Sequence, residues 1–329
     1  MKRTIENTPY DIESIAKTYK TESQKLRRAY RDNISEFQEY YRIHEEMFTD
    51  EAFVFPKNIG PNMGIDETGL INGELYTILY NKDGKGKKGS LAAIIKGTKA
   101  SVVTKAINKY VPFATLIGIR EMTLDLSNSM DWIAREIAPN AMKTYDRFHV
   151  ERIVTEAMQQ VRVKLRWEAI DRENKLRAEP EIFRLKRYSN GDSEKQLLAR
   201  SRYLLYKRKL LWTDSQRQRA RILFEEFPEL EKAYDLYMEF KDCYYMNRLN
   251  AEVKLKAWIK RAKKSKIPTM KTAAQTIENN IGGILNYLQN RASNASVENF
   301  NRKLKALLNY RRGVNNKNLF FFRLIQIYA

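Results

Sequence analysis

The sequence contains one cysteine, Cys243, and two histidines, His44 and His149, in 329 residues. A single thiol excludes a disulfide framework and a Cys-based zinc site, and two histidines exclude a His-rich metal centre. No apolar run approaches the roughly 18 residues that a membrane span needs. The opening "MKRTIENTPYD" lacks the apolar core of a signal peptide. Acidic residues are also in deficit: 40 Asp and Glu face 60 Lys and Arg, a net charge of +20.

That excess favours a polyanionic partner, nucleic acid first, with binding that weakens steeply as salt rises. A reduced thiol, a basic surface and no span or leader place the protein in the cytoplasm, in reach of the nucleoid. Hydrophobic content of 43% and charged content of 30% suit a globular chain. Its length allows two or three domains with an ample core.

Apolar spacings of three and four mark helices in residues 1–48, through Ile12, Ile15, Ala16 and Tyr19, then Leu26, Ala29, Tyr30 and Ile34. "KTES" separates them, with Thr21 or Ser23 as N-cap of the second. That second helix carries Lys25, Arg27, Arg28 and Arg31, so the pair reads either as a helix-turn-helix or as a helical hairpin with a solvated basic face. Residues 49–61 read as a linker punctuated by Pro56, Gly60 and Pro61. Three β-type runs follow, "MGID", "ELYTILYN" and "SLAAIIKG", separated by the turn-like "GLING" and "KDGKGKKG". "TKASVVTKAINKYV" has helical spacing. "ATLIGIREMTLDL" reads as a buried strand ending at Asp125. "SMDWIAREIAP" is a helix capped at Ser127, Asn128 or Ser129, and "NAMKTYDRF" holds a short strand. From 156 to 290 the pattern is helical, punctuated by Pro180, Pro228, Pro268, "YSNGDSE" and "KKSKIPT". Trp212 and Trp258 in this stretch read as core aromatics, with stacking on a base as the alternative. The segment 291–329 reads as a basic helix, "SNASVENFNRKLKALLNYRRG", capped at Ser293, Asn294 or Ser296 and ended by Gly313, with a basic tail.

The order β-β-β-α-β-α-β, a long helical insertion and a final helix predicts an α/β protein. It matches an RNase H-like mixed sheet, with its first part at 62–155, an all-α insertion at 156–290 and a small N-terminal helical region. In that topology the strands bearing Asp66 and Asp125 are neighbours, and Glu298 begins the helix that can pack beside them. Three converging carboxylates repel one another, and a divalent cation is the natural compensation. Their hard oxygens suit Mg²⁺ or Mn²⁺, two of which would serve phosphodiester chemistry. Taken singly, Asp125 reads as a cap or turn residue more readily than as a ligand, Asp66 stands even between the two because Glu67 competes with it, and Glu298 reads as a first-turn residue favoured by the helix dipole. Asp146 is an alternative second ligand. Glu67, on the opposite strand face, has no such role.

"MGIDET", "LDLSNSM", "YDRFHV" and "SNASVENFNRKLKALLNYRRG" together resemble the DDE transposases of bacterial insertion sequences, the ISL-type group above all, over roughly residues 10–329. The resemblance implies a metal-dependent polynucleotidyl transferase with Asp66, Asp125 and Glu298 as catalytic metal ligands. "DRFH" sets Asp146 and His149 beside them as supporting residues, similar to the "[CD]-x-x-H" element of related transposases. It also implies double-stranded DNA partners, namely terminal inverted repeats and target, and a homodimer acting on paired ends. Lys25, Arg27, Arg28 and Arg31, the hairpin residues Lys82, Lys85, Lys87 and Lys88, and Arg302, Lys303, Lys305, Arg311 and Arg312 are the candidate DNA contacts. The chain departs from the group in lacking N-terminal zinc-ligand cysteines and in reordering the aromatics after "NYRRG". An RNase H-like nuclease or resolvase without transposition, and a non-catalytic DNA-binding derivative, are the alternative readings.

Overall fold

Alternation of buried and exposed residues is weak in the strands of this chain because both faces of the sheet are covered. The computed structural model describes residues 1–8, 10, 12–178, 184–290, 299–305 and 317–329. The chain divides into two units, Met1–Asp146 with Ala292–Ala329, and Arg147–Arg291.

The first unit opens with five short helices: α1 (Lys2–Asn7), α2 (Ile12–Thr18), α3 (Ser23–Ala29), α4 (Phe37–Ile43) and α5 (Glu45–Asp50). A π-type turn at Tyr30–Ile34 follows α3. The strands are β1 (Ala52–Val54), β2 (Asn62–Gly69), β3 (Leu75–Asn81), β4 (Leu91–Lys96), β5 (Glu121–Leu124) and β6 (Met142–Tyr145). Helices α6 (Ala100–Tyr110) and α7 (Phe113–Leu116) connect β4 to β5, and α8 (Asn128–Ile137) connects β5 to β6. The sheet order is β1-β4-β3-β2-β5-β6, with β1-β4-β3-β2 antiparallel and β2-β5-β6 parallel. With β1 set aside, this is the RNase H-like arrangement that the element order predicts.

Helices α6 and α8 pack on each other and on the sheet through Val103, Ile107, Ile133 and Ile137, all fully buried. A second apolar cluster joins Tyr76, Ile78, Tyr80 and Ile94 of the sheet to α1–α5, to residues 299–305 (α16) and to α17 (Lys317–Tyr328). Helix α17 is buried nearly all round, from Leu319 to Ile325 and again at Ile327 and Tyr328. Each buried Phe or Leu there contributes about 2 kcal/mol. The guanidinium of Arg323 is buried with them, and its Nη2 donates to the carbonyls of Ile5 (3.1 Å) and Tyr10 (2.8 Å). The N-terminal helices therefore share a core with the sheet.

The named elements of the second unit, among its described residues, are all helices: α9 (Arg147–Arg177), α10 (Glu194–Arg200), α11 (Asp214–Glu226), α12 (Pro228–Cys243), α13 (Arg248–Lys264), α14 (Pro268–Asn279) and α15 (Ile281–Asn290), with 3₁₀ turns before α11 and an isolated bridge between Arg187 and Ser193. Long α9 packs against α10, α12 and α14. Trp212 and Trp258 lie in this core, and their indole N–H groups donate to the carbonyls of Leu204 (2.8 Å) and Leu236 (2.7 Å). Burial removes the base-stacking alternative for both. Pro180 lies outside the described residues.

Four expectations need correction. The 49–61 linker contains β1 and a 3₁₀ turn at Pro56–Asn58; a three-residue strand is too short to show alternation. The long strand expected before Asp125 is only Glu121–Leu124, because Pro112 opens the short helix α7. Short apolar runs do not by themselves separate strand from helix. The cap of α3 is Glu22, without a side-chain bond, in place of Thr21 or Ser23. The expected basic tail is the buried apolar helix α17, which lacks the polar face that gives a helix its sequence signature. The cap of α8 is Ser127, which accepts from the Met130 amide at 3.2 Å. Caps at 293–296 and the stop at Gly313 lie outside the described residues.

Asp131 of α8 ties that helix to β6. It accepts from Lys143 Nζ (2.6 Å), Tyr145 Oη (2.9 Å) and Arg135 Nε (2.8 Å). Burial would raise its carboxyl, but the bonds from Lys143, Arg135 and Tyr145 outweigh that and hold it below the usual aspartate value. Asp131→Asn is expected to cost about 2 kcal/mol in urea unfolding at pH 7. Because the folded value is depressed, this stabilisation is complete above the ordinary aspartate range and is lost as pH falls through the folded value. The wild-type and variant stabilities should therefore converge in acid. Arg323→Met is expected to cost a further, independent amount of about 2 kcal/mol and to expose residues 1–10 to protease, since two carbonyls lose a charged donor. Unchanged N-terminal protection would contradict the tie.

Candidate active site

Parallel pairing sets the geometry of the site. Asn62 pairs with Glu121 and Ile65 with Leu124, while Glu121 pairs with Met142 and Leu124 with Tyr145. The Asp146 amide continues the ladder by donating to the Leu124 carbonyl at 2.9 Å. Asp66, Asp125 and Asp146 are thus the next residues on three adjacent parallel strands. Paired residues share a sheet face, so the three carboxylates share one as well. Asp66 also pairs with Ile78 of β3, which belongs to the cluster containing Phe300 and Leu304.

Asp66 is half-buried and held at both oxygens. Oδ1 accepts from the Glu67 amide at 2.7 Å, and Oδ2 accepts from the Asn301 side-chain amide. Its carboxyl lies in hydrogen-bonding contact with Asp125. Burial pushes the Asp66 carboxyl up to about 6, against lowering by the Glu67 amide, the Asp125 contact and the charge of Lys305. Two touching carboxyls share a proton unless a cation replaces it. Carboxyl oxygens of Asp125 and Asp146 lie within 4.8 Å of each other, and Asp146 is buried. This set of hard oxygen donors fits Mg²⁺ or Mn²⁺ and does not suit a soft metal.

Asp146 therefore belongs to the cluster as closely as Asp125 does; sequence reading set it in a supporting place because Asp125 follows the longer apolar run. His149 is the third residue of α9, at the start of the second unit and three residues after Asp146 in the chain. Burial, and then the charge of Arg152, lower its imidazole to about 4, so it is neutral at physiological pH. Glu298, Arg311 and Arg312 lie outside the described residues.

Helix α16 lies beside Asp66. Phe300 and Leu304 are fully buried in the core, Asn301 is buried against Asp66, and Arg302 and Lys305 are exposed. Lys303 reaches the β3–β4 hairpin and donates to the Gly86 carbonyl at 3.2 Å. Gly86 has a φ of +72°, so the backbone calls for glycine there, while an added Cβ would meet only the flexible end of Lys303, Nζ at 2.9 Å. Lys85, Lys87 and Lys88 are exposed on that hairpin. Lys82 is turned inward, with Nζ 2.8 Å from Glu121 and 2.9 Å from Thr123 Oγ1. It neutralises Glu121, which shares the Asp125 face of β5. On α3, Lys25 and Arg28 are exposed and Arg27 is half-buried, while Arg31, in the π-type turn that follows, pairs with Asp32 at 2.6 Å. Sequence reading does not single out Asn301, although it stands three residues after Glu298 in the quoted "SNASVENFNRKLKALLNYRRG".

No helix among the described residues is long and apolar enough to cross a membrane. Comparison with curated proteins and with solved structures gives no match. A family model described as "Transposase", that of the ISL3-type DDE group, matches residues 63–324, which include Asp66, Asp125 and Asp146. The match covers well over half the chain, and the protein therefore belongs to the ISL3-type DDE transposase family.

Proposed function

We propose that this transposase cleaves and joins DNA phosphodiesters at Asp66, Asp125 and Asp146, with Glu298 completing the acidic set. The observation that carries this reading is the placing of three aspartates on one face, at equivalent positions of three adjacent parallel strands. Glu298 stands three residues before Asn301 in the sequence, and Asn301 touches Asp66. The carboxylates would hold two divalent cations, Mg²⁺ or Mn²⁺, which when bound supply Lewis-acid activation of the attacking oxygen and charge stabilisation at the leaving one.

The chain's own residues supply the rest. Glu67 N–H and Asn301 orient Asp66. Neutral His149, beside Asp146 in the chain, is in the state that can accept a hydrogen bond at a ring nitrogen. Exposed Arg302 and Lys305, with Lys85, Lys87 and Lys88 on the hairpin that Lys303 anchors, would grip the phosphate backbone. Lys303 would act through that anchor. Lys25, Arg27, Arg28 and Arg31 would contact the terminal inverted repeats as a helix-turn-helix, and Arg311 and Arg312 would add to the grip. The partners are transposon ends and target DNA, held by a homodimer in the cytoplasm, at the nucleoid.

Asp66→Ala, Asp125→Ala and Glu298→Ala are each expected to lower cleavage and strand transfer on a terminal-repeat duplex by at least about 100-fold, with DNA affinity largely kept. Asp146→Ala should do the same if the strand-end equivalence is functional. EDTA should abolish both reactions and Mg²⁺ or Mn²⁺ restore them. Full strand transfer by Asp66→Ala would sink the assignment. Replacing Lys85, Lys87 and Lys88 together with Ala should instead weaken binding and flatten its salt dependence, read as the slope of log affinity against log salt.

A further inference from the structure

Asn301 is more constrained than a helix-to-strand tie requires. Its residue is 6% exposed, and its Nδ2 donates to Asp66 Oδ2. The Asp66 carboxylate is an acceptor, so this contact fixes which end of the amide faces it. Among the described residues, the amide oxygen Oδ1 is then left buried with no hydrogen-bond partner. A buried carbonyl oxygen without a partner is costly, and such atoms in folded proteins call for a water, an ion or a function. This oxygen belongs to the same planar amide whose nitrogen touches Asp66, so it sits at the edge of the carboxylate cluster. Lys305, one turn further along the same helix, acts on Asp66 through its charge. The face of α16 turned to Asp66 thus carries one neutral amide and one cation, while Phe300 and Leu304 face the core.

We infer that Asn301 is a positioning residue of the cation site, resting on the proposed cation-dependent function. Its nitrogen orients Asp66, and its oxygen is a neutral hard acceptor for a hydrated divalent cation. A neutral amide serves both purposes at once. A carboxylate at 301 would add a further negative charge beside three carboxylates already set on one face, and an aliphatic side chain would supply neither atom. The unpartnered oxygen gains its partner only when a cation and its water shell are present.

The test is Mn²⁺ binding by the full-length protein, followed by the loss of the free-ion EPR signal and by thermal unfolding with and without Mn²⁺. Asn301→Leu is expected to weaken Mn²⁺ affinity by about 10- to 100-fold. Asn301→Asp is expected to melt below wild type without the ion, and to show a larger Mn²⁺-dependent rise in Tm than wild type, because the ion relieves the added repulsion. A merely structural tie would lower Tm by the same amount with and without Mn²⁺ in both variants, and that outcome overturns the inference. So does wild-type Mn²⁺ affinity in Asn301→Leu. Asp66→Asn separates the two levels of the argument. If wild type binds Mn²⁺ and Asp66→Asn does not, while both Asn301 variants behave as wild type, only the role of Asn301 falls. If wild type binds no Mn²⁺, the cation-dependent function falls and the role of Asn301 with it.

Discussion

The parallel register of β2, β5 and β6 is the constraint on which the first unit turns. It sets Asp66, Asp125 and Asp146 at equivalent positions on one face of the sheet. Nothing in folding alone favours that placing, since three neighbouring carboxylates repel and each loses hydration. Much of the surrounding architecture keeps the register in spite of it. Asp131 holds β6 through Lys143 and Tyr145, the residue just before Asp146. Lys82 crosses to Glu121 and Thr123 and cancels the further acid on the same strand as Asp125. Asn301 donates to Asp66 from the far end of the chain. A one-residue slip of any of the three strands would send its aspartate to the opposite face.

That opposition between folding and function explains the position of the chain's last helix. Sheets of this order need cover on both faces, and α6 with α8 cover only one. The other is covered by α16 and α17, which arrive after the whole helical unit has been inserted, and by the N-terminal helices packed in the same cluster. Phe321 shows the coupling at one residue: its ring meets Phe53 of β1 at 4.8 Å and Tyr76 of β3 at 5.5 Å. The start of α17 is fixed separately, where Lys317 bridges Glu51 (2.6 Å) and Glu74 (2.8 Å), and Lys96 joins the same two acids. The helix that closes the core and the helix that touches Asp66 are therefore set by one packing problem.

The legible parts of the sequence were those with a local period or a local punctuation mark. The three-strand meander, α6, α8 and the neighbouring strand positions of Asp66 and Asp125 could be read because apolar runs there are bounded by Gly-, Asn- and Asp-rich turns. Ser127 was legible as a cap for the same reason. What could not be read depends on contacts distant in sequence. Strand β1 has three residues and pairs with β4 across 40 positions, as in Phe53 with Ile94, so no short window holds its signal. Helix α17 is apolar on every side, and an all-round apolar segment has no period to find. The place of Asp146 level with Asp125 comes from pairing with β5, which a four-residue strand does not announce. Asn301 could be found only by asking which buried polar groups near Asp66 lack a complement, a question about atoms and not about spacing.

The same distinction orders the chain's basic excess. A net charge of +20 suggests a uniform attraction for polyanions. In the folded unit some of those cations work internally: Lys82 on Glu121, Lys96 and Lys317 on Glu51 and Glu74, Lys143 on Asp131, Lys303 on the Gly86 carbonyl and Arg323 on two N-terminal carbonyls. Others nearby stay exposed, Lys85, Lys87 and Lys88 on the hairpin and Arg302 and Lys305 on α16. Lys303 links these two groups by holding the hairpin against the helix. The strength of the field follows from composition, but its direction depends on which lysines the fold has already paired. On the proposed function, the cations left exposed on α16 and the hairpin would meet the phosphate backbone, and Lys305 among them already acts on Asp66 through its charge.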